Sequence, residues 1–150
     1  MKTVKAKQLL RDIRSSRIEL KALEEKREIL ENKAVRITRN ISGTQGTSGR
    51  KKDLSDSVVG LLELDEALKK RIDAVARQER TVLEMIMKMD TPVYRTLLIL
   101  YYIAGDQPAG WDSVAEQMHY SRSAVCHYHG RALQELQRVI DKHAHNCTEQ

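Results

Sequence analysis

Apolar residues recur along the first ninety positions as a narrow stripe rather than a broad face. Leu9, Ile13, Leu20, Leu23, Leu30, Ile37 and Ile41 keep the alternating three-and-four spacing of a heptad, with Ser16, Arg27 and Ala34 as weaker positions on the same stripe. This predicts a charged helix from Lys2 to about Ile41. Ser42 to Gly49 then has no periodicity and no apolar side chain, and its Gly/Ser/Thr content predicts a flexible link near 42–53. A second stripe follows from Leu54 to Met89, with Asp53 as a candidate cap: Leu54, Val58, Leu61, Leu68, Ile72, Val75, Val82, Ile86 and Met89. Asp65 and Glu79 are its charged intrusions. Each helix runs roughly 36 residues, or about 54 Å at 1.5 Å per residue.

Two striped helices of equal length around one link predict an antiparallel hairpin coiled coil. The alternative is two helices that each pair with another chain. A bare hairpin buries only one seam, leaving Leu10, Ile18, Ile29, Val59, Leu62, Leu64 and Leu83 over. A homodimer or higher homo-oligomer formed through these positions is therefore expected.

The pattern changes at Thr91. All five Tyr residues and the single Trp lie beyond it, so this is where a globular core can form. Pro92 suits the first turn of a helix carrying Val93, Leu97, Leu98, Leu100, Tyr101 and Ile103, which the stretch Ala104–Gly110 ends. Trp111 to Met118 reads as a short helix with Val114, Ala115 and Met118 on one face. A tight break follows, Ser121 is a good N-cap, and the next helix turns Val125, Tyr128, Ala132, Leu133 and Leu136 inward. Short helix, tight turn and second helix crossing at the small Ala115 make a helix-turn-helix. The expected organisation is all-α: a hairpin over 1–90, a helix-turn-helix domain over 91–142, and a polar tail over 143–150.

In such motifs the second helix enters the major groove and presents its leading outward side chains. Here those are Ser121, Arg122, Ser123, Cys126 and His127, with His129 and Arg131 on a flank. Arg122 is the candidate for guanine, because its fork can meet O6 and N7 together. Ser121 and Ser123 can reach phosphate or a base edge.

Charge complicates the picture. The whole chain carries a formal +5, yet from Thr91 onward five basic residues face six acidic ones, a net of −1. The excess sits at the start: Lys2, Lys5, Lys7, Arg11, Arg14 and Arg17, opposed by Asp12. An antiparallel hairpin would bring that basic end back beside the reading domain, where Lys5, Lys7, Arg11 and Arg14 become candidate phosphate contacts.

The stretch from Trp111 to Leu133 resembles the helix-turn-helix of sigma factor region four. The resemblance extends upstream over Tyr94–Gly105 and downstream over His129–Leu136, in all about Pro92 to Ile140, a third of the chain. The turn position usually filled there by Gly, where a positive φ is needed, is His119. Nothing resembles the sigma segments that melt promoters or read the upstream hexamer. Coiled coil, glycine-rich link, second coiled coil and this terminal domain together resemble small prophage regulators of Gram-positive bacteria, described as sigma-like or as relatives of the autolysin regulator ArpU. The resemblance implies binding to double-stranded DNA, control of phage or prophage transcription through host RNA polymerase, and action in the cytoplasm of the bacterial host.

Other chemistries find less support. No apolar run approaches the roughly 20 residues of a membrane span, and the basic start does not lead into an apolar leader. Cys126 and Cys147 are too few for a disulfide framework and read as reduced thiols. Cys126, His127 and His129, and the later His143, His145 and Cys147, lack the paired spacing that closes a tetrahedral zinc site. Gly43, Gly46 and Gly49 lack the following Lys-Ser/Thr of a nucleotide loop. No catalytic constellation appears, so neither enzyme activity nor a cofactor is expected. Two rivals stay open: a DNA-packaging recognition subunit, and a coiled-coil interaction protein whose terminal domain never meets DNA.

Overall fold

A computed structural model of the chain describes residues 3–42, 48–105 and 109–148. The described residues are helical throughout their regular elements: α1 Val4–Ser42, α2 Ser48–Met87, α3 Pro92–Leu98, a π-helical segment Ile99–Ile103 that continues α3, α4 Trp111–Met118 and α5 Arg122–Thr148. The expected link partly falls on residues 43–47, outside those described. From Ser48 to Asp53 the chain is already helix, so α2 starts earlier than the apolar stripe suggested. The tail expected from residue 143 is likewise helical through Thr148; no Gly or Pro follows Ile140 to break the helix.

α1 and α2 form a long antiparallel hairpin. The chain divides into two compact units, Glu19–Ala74 and Met1–Ile18 with Val75–Gln150.

In the unit Glu19–Ala74 the two helices meet along the predicted seam, and its charged positions pair across it. Arg27 Nε lies 2.5 Å from Asp65 Oδ1, and Arg71 lies 2.7 Å from Glu19. The Asp65 intrusion is thus matched by an arginine on the facing stripe. Asp65, and secondarily Glu31, hold the Arg27 guanidinium above its ordinary pKa. The α2 stripe itself needs correction. Val58 and Ile72 are 41% and 45% exposed, while Ser57 and Arg71 are half-buried in their place and Leu64 is half-buried beside Asp65. At these layers the seam steps by three residues where the apolar pattern had suggested four.

The second unit holds the core. Ala6, Leu10 and Ile13 of α1 and Val82, Ile86 and Met89 around the end of α2 pack with Leu97, Leu98, Tyr102, Val114, Ala115, Val125, Ala132, Leu133 and Leu136. Leu10, expected to be a surplus outward position, is fully buried. It shares a stripe with Ala6 and Ile13 that faces the C-terminal helices. Each fully buried Leu or Ile here contributes about 1.5–3 kcal/mol of apolar burial.

Polar contacts fix the junctions of this unit. Gln137, buried, accepts the Ala6 N–H through Oε1 at 2.9 Å, satisfying one of the free donors at the start of α1. Glu135 Oε1 accepts the N–H groups of Asp90 (2.6 Å) and Thr91 (2.9 Å) where α3 begins. Burial pushes the Glu135 carboxyl up, but the hydrogen bonds from Thr91 and Asp90 outweigh it and the net pKa is lowered. Arg95 donates to the carbonyls of Met89 and Asp90 across the same turn.

Candidate nucleic-acid interface

The turn between α4 and α5 is built by two residues. His119 takes φ 57° and ψ 36°, the left-handed conformation that closes α4, and its N–H reaches the Ala115 and Glu116 carbonyls. This is the conformation required at the position where glycine was expected. Ser121 then caps α5, its Oγ accepting the Ala124 N–H at 3.1 Å. Val125 is buried and Tyr128 half-buried, its ring 6.2 Å from Tyr94 and 5.4 Å from Tyr120, so the rotation of α5 about its axis is set from inside.

That rotation decides what α5 shows outward. Ser121, Arg122, Ser123, Cys126, His127 and Arg131 are all exposed. Arg122 keeps 64% of its side-chain surface exposed and meets Asp112 only at 3.4 Å, a loose contact that leaves the guanidinium available. Gly130 lies on the same exposed side, and a Cβ built on it would meet nothing within 4 Å. The internal packing therefore places no steric demand for glycine there. On α4 the exposed residues include Asp112, Ser113, Glu116 and Gln117, so the surroundings are mixed in charge rather than uniformly basic.

His129 does not belong to this face. Its ring is half-buried, with Nε2 2.9 Å from the Tyr102 hydroxyl and its centroid 4.8 Å from that of Trp111. Burial and the nearby Lys7 charge lower its pKa from 6.5 to about 4, so it sits in the core as a neutral imidazole. Tyr102, pushed up to about 12 chiefly by burial and then by Tyr101, stays a phenol. The sequence did carry a signal for this placement. His129 falls four residues after Val125 and three before Ala132, on the inward stripe of α5.

The basic start of α1 splits into two groups. Lys5, Lys7 and Arg11 are exposed. Arg14 is not free for phosphate: Nη1 donates to the Tyr101 and Ala109 carbonyls at 2.9 and 3.2 Å, and its guanidinium carbon lies 4.3 Å from the Tyr101 ring centroid. Arg17 donates to the carbonyls of Tyr102 (2.7 Å) and Gly105, and its Nε lies 3.2 Å from Glu79. Both arginines thus donate to carbonyls at the end of the π-helical segment and just beyond it. Tyr101, 4.0 Å from Trp111 in a stacked pair, is likewise part of the packing. The Ala6–Gln137 bond sets the stretch Lys5–Lys7 beside the middle of α5.

A family model matches residues 36–137, more than half of the chain, from the last turns of α1 through most of α5. The chain belongs to the DUF1492 family. That family is described as a protein of unknown function. The match takes in the helix-turn-helix entire and leaves out most of α1, including Lys5, Lys7 and Arg11. No curated protein and no solved structure is significantly similar to the chain. Among the described residues no three His, Cys, Asp or Glu side chains are grouped to hold a metal ion, and no helix is long and apolar enough to cross a membrane.

Proposed function

We propose that this protein binds double-stranded DNA in a sequence-dependent manner and regulates phage or prophage transcription in the cytoplasm of a bacterial host, in contact with host RNA polymerase. The observation that carries the reading is the α4–α5 pair: a left-handed turn at His119, a serine cap, and a helix whose apolar side is locked inward. Its leading outward side chains are all polar or small, and Arg122 meets Asp112 at a loose 3.4 Å. An exposed helix N-terminus with Ser121, Arg122 and Ser123 fits a major groove about 12 Å wide, where arginine can take guanine and serine a phosphate. The resemblance to sigma factor region four supplies the transcriptional context. Lys5, Lys7 and Arg11 add charge that reads no sequence but raises affinity. No catalytic role or cofactor forms part of the proposal.

Selection from a random duplex library tests it. The wild type should enrich a defined motif, and Arg122→Ala should lose discrimination at one or two positions, by about 1–3 kcal/mol per base pair. No enrichment at any salt concentration overturns the reading. A second reading is favoured by one observation, the net −1 charge from Thr91 onward with Asp112 and Glu116 exposed on α4. In it the protein binds polymerase or another protein and never meets DNA; retention by polymerase with no duplex bound would establish it. A ring of about eight subunits would favour the third reading, a DNA-packaging subunit.

A further inference from the structure

The unit Glu19–Ala74 poses a stability problem. Among its described residues Leu68 alone is buried. Two helices joined by one thin seam bury too little apolar surface to offset the entropy of ordering them. Meanwhile Val58, Leu62 and Ile72 of α2 are 41%, 60% and 45% exposed. Together with Asp65 and Lys69 they form a second stripe on α2, at positions 58, 62, 65, 69 and 72. The spacing is again four, three, four, three: a coiled-coil seam on the flank of the first.

From Leu62 to Ile72 that stripe is self-complementary when reversed. Turned about a point at residue 67, Leu62 falls opposite Ile72 and Asp65 falls opposite Lys69. An antiparallel coiled coil matches its layers in this way, and an isologous two-fold contact makes each pairing twice. Asp65 already takes Arg27 on Oδ1 within its own chain, and a carboxylate can accept more than one donor. Reversal thus sets apolar against apolar and acid against base, which an unrelated partner has no reason to match.

We infer that the stripe Leu62–Asp65–Lys69–Ile72 is the dimerisation surface of this protein, and that its occupant is the same stripe of a second copy, packed antiparallel about a two-fold axis at residue 67. The contact segment of about 11 residues is about 15 Å long at 1.5 Å per residue. This goes beyond the DNA-binding reading and is independent of it, since neither its formation nor its test involves a duplex.

Sedimentation equilibrium on the full chain, across a concentration series, should give twice the chain mass. Leu62→Glu sets a carboxylate against an apolar layer and should weaken association by about a hundredfold or more, with helical content retained. Cross-linking reads the register in variants that need no disruptive change. With Cys126 and Cys147 replaced by Ser, the chain carrying both Leu62→Cys and Ile72→Cys should oxidise to a covalent dimer. Each single variant should not, because residue 62 and its own copy lie about 15 Å apart along the helices. A single-chain mass for the wild type overturns the inference. So does a larger ring, a dimer indifferent to Leu62→Glu, or single-cysteine variants that cross-link as readily as the double variant, which would show a parallel contact.

Discussion

His129 makes the stability of the C-terminal unit sensitive to mild acid, and the effect can be sized from its surroundings. In the folded chain the imidazole packs against Tyr101, Tyr102 and Trp111, and burial followed by Lys7 lowers its pKa from 6.5 to about 4. The folded state therefore binds the proton less readily than the unfolded state. Stability is full above pH 6.5 and is lost as pH falls from 6.5 towards 4. At pH 5 the difference between the two states amounts to about 2 kcal/mol. The ring is half-buried, and solvent screening brings this to between about 1 and 2 kcal/mol. For a chain of this size that lowers Tm by about 2–8 °C. Thermal unfolding followed by circular dichroism between pH 7.5 and 5 measures it, with His129→Gln as the comparison. Glutamine retains hydrogen-bonding groups for the Tyr102 hydroxyl and does not titrate, while every other group is common to both proteins. The wild type should lose more Tm on acidification than the variant. Parallel pH profiles would refute both the buried placement and the neutral state of His129.

Three further outcomes follow from the packing and the charges. Leu10→Ala should destabilise the C-terminal unit by about 2–5 kcal/mol in chemical denaturation, because Leu10 is a core residue of that unit despite lying eighty residues from its other helices. His119→Gly should stabilise by up to about 1 kcal/mol in the same assay, since it relieves a left-handed conformation that a side chain disfavours. Replacing Lys5, Lys7 and Arg11 together by Gln should lower the salt dependence of duplex binding by about three units of log slope if each meets a phosphate, whereas Arg14→Gln should act by loosening the π-helical segment and show as a lower Tm.

Much of this architecture is legible in the sequence, because it rests on local rules. Heptad spacing marks the hairpin, Ser121 marks the start of α5, and the tight break at His119 marks a positive φ that only the helix-turn-helix pattern demands. What the pattern misses depends on partners far along the chain. Periodicity shows that Leu10 lies beside a stripe, yet gives no sign that helices eighty residues later will cover it. Arg14 and Arg17 look like solvated charge until the end of the π-helical segment supplies carbonyls for them. His129 reads as a flank residue of the outward face, yet its register is inward, and Tyr102 and Trp111 make that burial tolerable. Val58 and Ile72 fit the first α2 stripe by spacing, but Ser57 and Arg71 take the buried side at those layers and leave the apolar pair exposed. In the candidate interface, exposure of Arg122, Ser123, Cys126 and His127 follows directly from the inward set of Val125 and Tyr128.

The central claim is that the leading face of α5 reads a duplex. Equilibrium binding of a selected duplex and a scrambled one, measured over a series of salt concentrations for wild type and Arg122→Ala, tests it most directly. The account predicts a clear preference for the selected duplex that Arg122→Ala largely abolishes, with little change in salt slope and unchanged Tm. Equal affinities for both duplexes in the wild type, or a preference that survives Arg122→Ala intact, would contradict it.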